Sequence, residues 1–159
     1  MPAIDKAALH AELLAQLTDA LAKAHAAHAA AVEGATHTEA RAENDKDTRG
    51  LEQSYLARGQ AQRVAELETG IALVHTLAVR AFAPTEPITL GALVTVDEDG
   101  DAKQLWVAPY GGGSALAGDV QVVTPSSPLG RALLGKRVDD EVELRLPGRQ
   151  RTLQVTAIR

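Results

Sequence analysis

The sequence predicts an α+β protein in which an antiparallel coiled-coil hairpin precedes a small β-rich domain with one helix. Residues 5–82 contain no proline and only four glycines, and their apolar residues recur at intervals of three and four. After Pro84 the apolar period changes to two, which is typical of strands. We therefore place the helical hairpin at residues 1–82, a linker at 83–88 and the β-rich domain at 89–159.

Two apolar stripes predict the helical hairpin. Asp5 is suited to cap the first helix, and leucines follow every four residues on one face, at Leu9, Leu13, Leu17 and Leu21. The stripe continues through alanines to Val32, and Gly34 favours a bend or fraying of the helix. The stripe of the second helix consists of Val64, Leu67, Ile71 and Val74, with Leu51, Tyr55 and Leu56 extending it upstream. Each helix is expected to pack its stripe against the other.

A polar turn joins the two predicted helices within residues 43–50, ENDKDTRG, which we call the tip. Asp47 or Thr48 is suited to cap the second helix. The tip also carries Glu43 and Asp45, and carboxylate oxygens are ligands that Mg²⁺ prefers. The same residues suit an ordinary soluble connection between helices, and the local sequence alone favours that interpretation.

Strands are predicted on both sides of a short helix in the β-rich domain. Pro84 and Pro87 end the helical part of the chain, because proline cannot continue a helix. Alternating apolar residues then predict strands within residues 93–107, 120–125 and 143–158, the last stretch forming a hairpin around Pro147-Gly148.

The short helix is predicted within SSPLGRALLGK, residues 126–136. Ser126 or Ser127 is the predicted N-cap, Pro128 lies near the first turn, and Gly135 ends the helix. The glycine-rich GGGS, residues 111–114, lacks the Gly-Lys-Ser/Thr ending of a phosphate-binding loop, so we interpret it as a flexible loop between strands.

The composition excludes several classes of function. The chain has no cysteine, which excludes disulfides, thiolate nucleophiles and cysteine-ligated zinc. Its formal net charge is -5, so it lacks the charge of a nucleic-acid coat, and DNA binding is not expected. The absence of a long apolar stretch and of a signal-peptide pattern predicts a cytoplasmic protein without a membrane partner. His25 and His28 lack a fixed third ligand, which favours exposed or interhelical histidines over a metal site.

Two stretches resemble the Gre family of bacterial transcript-cleavage factors. Residues 122–149, VVTPSSPLGRALLGKRVDDEVELRLPGR, are similar to the C-terminal signature of that family, with its Ser-Pro-Leu-Gly turn and Ala-Leu-Leu-Gly-Lys helix. Residues 55–68, YLARGQAQRVAELE, are similar to the second helix of the family's coiled coil. The order of a helical hairpin and then a β-rich domain also agrees, so the resemblance covers nearly the whole chain.

The resemblance implies an FKBP-like C-terminal domain that has no prolyl-isomerase activity. It implies that this domain docks on bacterial RNA polymerase near the rim of the secondary channel, and we expect Ser127, Pro128, Leu129 and Gly130 to bind the polymerase. The coiled coil would enter the channel and reach the 3′ end of the nascent RNA indirectly. The expected catalytic residues are Asp45, Asp47 and Glu43, of which Asp45 and Asp47 would hold Mg²⁺ only jointly with the polymerase.

The tip departs from the pattern of the cleavage factors, which carry an Asp and a Glu three positions apart. The nearest frame here gives Glu43 and Lys46, so the second acid is out of register. Three functions therefore stay open: stimulation of cleavage by the polymerase, a non-cleaving regulator in the same channel, and a protein-interaction module whose hairpin is only a spacer. The tip acids would matter in the first two and not in the third.

Overall fold

Two long helices precede a mixed β-sheet with a short helix, as the computed structural model shows for residues 3–41 and 49–159. This confirms the predicted α+β class. Side chains are described for residues 3–36 and 50–159. None of the helices in these ranges has a segment apolar enough, over a sufficient length, to cross a membrane.

The chain divides into two compact units. We call residues 1–14 with 73–159 the sheet unit, and residues 15–72 the hairpin unit. This division differs from the predicted domain boundaries at residues 82 and 89. The difference arises because the start of the first helix and the end of the second are grouped with the sheet.

Helices α1, Lys6–Arg41, and α2, Arg49–His75, supply the hairpin unit. In this unit Nε2 of His25 lies 3.7 Å from Oε1 of Glu68, and Gly34 lies opposite the side chain of Gln53. The residue number on α1 increases between these two contacts while the residue number on α2 decreases. The helices are therefore antiparallel, as predicted. The helix does not end at Gly34, since α1 continues through it to Arg41. A Cβ at this position would lie 3.0 Å from Oε1 of Gln53, so glycine permits the close approach.

The seam between α1 and α2 in the hairpin unit follows a heptad spacing. On α2, the heptad positions are buried or half-buried at Gly50, Gln53, Ala57, Gln60, Val64, Leu67 and Ile71, and the neighbouring Ser54 and Gly70 are also at least half-buried. On α1, Leu17, Ala24, Ala31 and Ala35 are buried. Steps of three and four keep one helical face toward the partner helix. The predicted apolar stripes are confirmed where they coincide with this spacing.

The predicted extensions of the stripes are wrong. Val32, Leu51, Tyr55 and Leu56 are 42%, 52%, 57% and 50% exposed. They lie between the heptad positions, where no residue of the partner helix can cover them. Small and polar residues occupy the seam instead, so hydrophobicity alone misplaced this part of the interface.

The sheet unit contains six strands in the order β3-β4-β2-β1-β6-β5. Only β2 and β4 pair in parallel among the described strands, and the other neighbours are antiparallel. The elements are β1 Leu93–Glu98, β2 Asp101–Val107, β3 Ala115–Leu116, β4 Val120–Val123, α3 Pro128–Leu133, β5 Glu141–Leu146 and β6 Arg149–Ile158. Every predicted strand is present, and the two-residue β3 was not predicted.

The core of the sheet unit lies between α3 and one face of the sheet. It includes Leu133 of α3, together with residues from β1, β2, β4, β5 and β6. Phe82 and Ile88, at the ends of the predicted linker, also belong to it. The amide of Ile88 donates to the carbonyl of Lys136 at 2.8 Å, and its carbonyl accepts from Gly135 at 2.9 Å. The linker is therefore fixed to the end of α3 at Ile88.

The first turns of α1 also belong to the sheet unit. The predicted cap is confirmed, since Oδ1 of Asp5 accepts a 2.9 Å hydrogen bond from the amide of Ala7. The His10 ring meets the indole of Trp106 edge-on at 6.4 Å between centroids, and its Nε2 lies 2.6 Å from the carbonyl oxygen of Val74. Leu13 packs closely on Gly111. A Cβ added to Gly111 would lie only 2.8 Å from Cδ1 of Leu13. These contacts tie both helices to the sheet.

We predict that Leu67→Ala lowers the free energy of unfolding by about 2–3 kcal/mol, because Leu67 is 1% exposed in the seam. The matched control is Leu56→Ala on the same helix, where the exposed side chain predicts a change within about 0.5 kcal/mol. Urea unfolding of the full chain, followed by far-ultraviolet circular dichroism, measures both. Equal losses for the two variants would contradict the seam described above.

Candidate functional site

The predicted site residues fall in two parts of the chain. Glu43, Asp45 and Asp47 of the tip lie outside the described residues, as does the predicted cap at Asp47 or Thr48. The four residues expected to bind the polymerase, residues 127–130, lie in the sheet unit at the start of α3.

Ser127 forms the turn that connects β4 to α3. Its backbone is extended, with φ -79° and ψ 155°, and Pro128 follows as the first helical residue. The Ser127 hydroxyl donates to the carbonyl of Thr124 at 2.9 Å and accepts from the amide of Gly130 at 3.0 Å. Ser127 is therefore the N-cap, one of the two predicted, and it satisfies a backbone amide that a helix otherwise leaves unpaired.

Gly130 is required by the same turn. It is buried, and a Cβ there would lie 1.8 Å from the carbonyl oxygen of Thr124. No rotation of a side chain relieves this overlap, because both groups are fixed to the backbone. Gly130 therefore shapes the turn from within and presents little surface for a partner to contact.

Ser127, Pro128 and Leu129 line a groove of about 230 Å³ on the sheet unit. Pro128 is exposed and Leu129 half-buried. The apolar lining continues onto the sheet through Val122, Val123, Leu144 and Leu146. The groove is small and mostly apolar, which suits the insertion of one or two side chains of a protein partner.

The glycine-rich loop between β2 and β3 also lines the groove. Gly112 and Gly113 line it, and the amide of Gly113 donates to the carbonyl of Val122 at 2.9 Å. A Cβ at Gly112 would lie 3.1 Å from Cγ2 of Thr124, so the loop packs against the Ser127 turn. The sequence predicted only a flexible connection here. The run of three glycines was the available signal, since glycine permits close approach of the backbone.

A charged network sets the polar side of the groove. Arg151 lines the groove and binds Glu98 through two hydrogen bonds, with 2.8 Å between Nε and Oε1. Lys103 donates to Glu98 at 3.2 Å. The hydrogen bond from Arg151 is the largest cause that lowers the pKa of Glu98 to about 2, and the bond from Lys103 lowers it further. The carboxylate therefore stays charged and holds Arg151 in place.

Few side chains that line the groove can ionise. Its side chains include no histidine or carboxyl group that could move a proton. In residues 3–36 and 50–159, no three metal-ligating side chains of His, Cys, Asp or Glu meet in a cluster. His25, one of the two histidines considered as ligands, faces Glu68 and is largely exposed.

Comparison with known proteins identified similar sequences along both units. A family profile described as "Transcription elongation factor, GreA/GreB, C-term" matches residues 83–159. A transcription elongation factor GreA of Sphingopyxis alaskensis is 32% identical over 165 residues, covering 99% of this chain and 98% of that protein. GreA of Bradyrhizobium sp. strain BTAi1 is 33% identical over 103 residues, so the chain spans only 60% of the length of that relative.

Solved structures also align with most of the chain. The crystal structure of GreA factor homolog 1 (Gfh1) of Thermus thermophilus is 22% identical, covers 92% of this chain and 94% of its own, and has a TM-score of 0.40. That of Thermus aquaticus Gfh1 is 23% identical, covers 90% and 91%, and has a TM-score of 0.41.

We predict that Gly130→Ala destabilises the sheet unit by more than about 3 kcal/mol, because its Cβ would overlap a backbone carbonyl. The control in the same groove is Gly112→Ala, whose Cβ would meet only the side chain of Thr124, at 3.1 Å from Cγ2 and 3.3 Å from Oγ1, and which should cost about 1 kcal/mol or less. Urea unfolding monitored through the fluorescence of Trp106, the only tryptophan, separates the two. A Gly130→Ala chain as stable as the parent would refute the turn geometry.

The Glu98–Arg151 pair also predicts a pH dependence of stability. The folded pKa of Glu98 is about 2, lower than its ordinary value of 4.5, so its contribution is present above about pH 4.5 and lost as the pH falls toward 2. Glu98→Gln should therefore lose less stability than the parent between about pH 5 and pH 2. Arg151→Gln should flatten the curve in the same way, because it removes the largest cause of the shift. Parallel curves for all three proteins would contradict this assignment.

Proposed function

The chain belongs to the GreA/GreB family of transcription elongation factors, and from this membership we propose that it binds bacterial RNA polymerase and stimulates cleavage of backtracked transcripts. The observation that carries the proposal is the similarity to a GreA along 99% of the chain, which includes the hairpin unit as well as the sheet unit. In this function the polymerase supplies the catalytic centre and the chain is an accessory factor without turnover of its own. It would act in the bacterial cytoplasm.

The groove of the sheet unit is our candidate for the docking surface. Three of the four residues that the family resemblance marked for binding line it, and its apolar floor is bordered by a fixed arginine. Removal of an apolar side chain of the partner from water would stabilise such a complex, and the rigid turn at Ser127 limits the entropy that binding costs.

The tip acids are our candidates for the functional end of the hairpin. Carboxylates such as those of Asp45 and Asp47 suit Mg²⁺, which commonly binds through one or two of them and retains several waters. Mg²⁺ shared with the polymerase would supply charge stabilisation for attack of water on phosphorus. The residues of this chain would contribute oxygen ligands and orient a water, and Glu43 would assist Asp45 and Asp47.

A non-cleaving regulator is the second candidate. The observation that favours it is Lys46, which stands where the cleavage pattern of the family has its second acid. A cation at this position would weaken the negative electrostatic potential that attracts a metal ion to the tip. Such a factor would occupy the same channel and slow or modulate transcription without cutting RNA.

The test combines a tip variant with a groove variant in a stalled, backtracked complex of the cognate polymerase. Replacement of Glu43, Asp45 and Asp47 by alanine should lower the cleavage rate at least tenfold, about 1.4 kcal/mol of barrier, and leave affinity for the polymerase unchanged. Pro128→Glu should abolish binding without unfolding the chain. Pro128 is exposed at the start of α3, where a carboxylate suits the helix N-terminus.

The outcomes separate the candidate functions. A parent chain that binds and slows transcription without cleaving at saturating Mg²⁺ would select the non-cleaving regulator. Full activity of the triple alanine variant would mean that the hairpin is only a spacer. Unchanged binding of Pro128→Glu would exclude the groove as the docking surface.

A further inference from the structure

The outer face of α2 carries a stripe of exposed side chains to which the proposed function assigns no role. Its members recur at steps of three and four, the spacing that keeps residues on one face of a helix. At about 3.6 residues per turn, this face lies opposite the heptad positions that form the seam with α1. We call it the outer stripe, and its members are Leu51, Tyr55, Arg58, Gln62, Glu66, Thr69 and Leu73.

Three large apolar side chains remain exposed on the outer stripe. Leu51, Tyr55 and Leu73 are 52%, 57% and 46% exposed. The face of a surface helix that points away from its packing partner normally carries charged and polar residues. Apolar side chains that recur on that face over about 33 Å of helix are typical of an interaction surface.

Gly59 leaves the middle of this face open. It lies four residues after Tyr55, and a Cβ added to it would meet no other group of the described chain within 4 Å. Glycine inside a helix destabilises the helix by about 1 kcal/mol relative to alanine. Packing within the described part of the chain does not require this glycine, whereas a side chain from another molecule would use the space.

The charges of the outer stripe are symmetric about Gln62. Arg58 lies four residues before Gln62, and Glu66 lies four residues after it. Cζ of Arg58 lies 5.2 Å from the centre of the Tyr55 ring, and Glu66 accepts a 3.3 Å hydrogen bond from Gln62. Neither charge belongs to an ion pair among the residues that the structure describes. Both are exposed, so a second molecule can pair with them.

We propose that two copies of this chain pair through the outer stripe, with their α2 helices antiparallel about Gln62. In a two-fold symmetric pair, a residue before Gln62 lies level with the residue that follows Gln62 by the same number of positions. Arg58 of each chain is then level with Glu66 of the other, and Gly59 leaves room for the Glu66 side chain. Opposite charges therefore meet twice across the interface.

The apolar ends of the stripe fit the same arrangement. Leu51 precedes Gln62 by eleven positions and Leu73 follows it by eleven, so this register brings Leu51 of one copy level with Leu73 of the other. Removal of these side chains from water would stabilise the dimer. A parallel pair in register would instead place Arg58 on Arg58 and Glu66 on Glu66, which is repulsive. The charges and the apolar side chains thus select one antiparallel register.

Sedimentation velocity of the full chain over a range of concentrations tests the dimer, and an exchange of charges tests its register. Arg58→Glu and Glu66→Arg should each weaken dimerisation at least tenfold, because each variant brings like charges together. The double variant Arg58→Glu with Glu66→Arg should restore it, since opposite charges meet again with their positions exchanged. Arg63→Glu is the matched control. Arg63 is exposed on the same helix outside the outer stripe, so this variant should dimerise like the parent.

A cysteine cross-link locates the two-fold axis, because the chain has no cysteine of its own. Gln62→Cys should form a disulfide-linked dimer under mild oxidation, since the two copies of residue 62 meet at the axis. Leu51→Cys should not, because an antiparallel pair separates the two copies of residue 51 by about 33 Å along the helices.

A chain that stays monomeric at every concentration would overturn the proposal. So would dimerisation that Arg58→Glu leaves unchanged, failure of the double variant to restore it, or efficient cross-linking of Leu51→Cys. A monomeric chain whose affinity for RNA polymerase falls with Tyr55→Ala would assign the outer stripe to the polymerase instead. The sedimentation and cross-linking measurements do not involve the polymerase, so this dimer and the proposed transcription function can fail separately.

Discussion

The structure depends on the attachment of both helices to the sheet unit. A pair of helices has only one buried seam, and a single seam removes too little apolar surface from water to offset easily the entropy of ordering about 60 residues. The first turns of α1 pack on the sheet through His10 and Leu13, and the His10 ring also reaches the last carbonyls of α2 at Val74. The hairpin thus begins and ends on a unit that has its own core.

At the groove, one turn has both a structural role and a proposed binding role. Ser127 caps α3 and also lines the groove, whereas Gly130 is buried beneath it. A substitution at Ser127 would change the stability of the turn and the shape of the groove together. Pro128 lies at the exposed edge, so it reports on binding with the least disturbance of the fold.

Most of the fold could be predicted from the sequence because its signals are local. Apolar residues at every second position predicted the strands, and the residues around Pro128 predicted α3 and its cap. The upstream half of the α2 seam could not be predicted from hydrophobicity, because Gln53 and Gln60 occupy heptad positions while Leu56 is exposed. The groove was predicted only in part, since its glycine loop reaches the Ser127 turn through tertiary packing, which no local pattern encodes. The tip acids stay a prediction, since they lie outside the described residues.

The seam of the hairpin unit changes its composition along α1, from Leu17 to Ala24, Ala31 and Ala35. Helices in contact approach to about 8–10 Å between axes, and small side chains permit the lower end of that range. The alanine portion of the seam therefore permits the smaller separation between the helix axes. It is also held by less dispersion energy, because each methyl group has fewer atoms within contact distance than an isobutyl group. A smaller possible separation and a weaker hold thus coincide in the alanine portion of the seam.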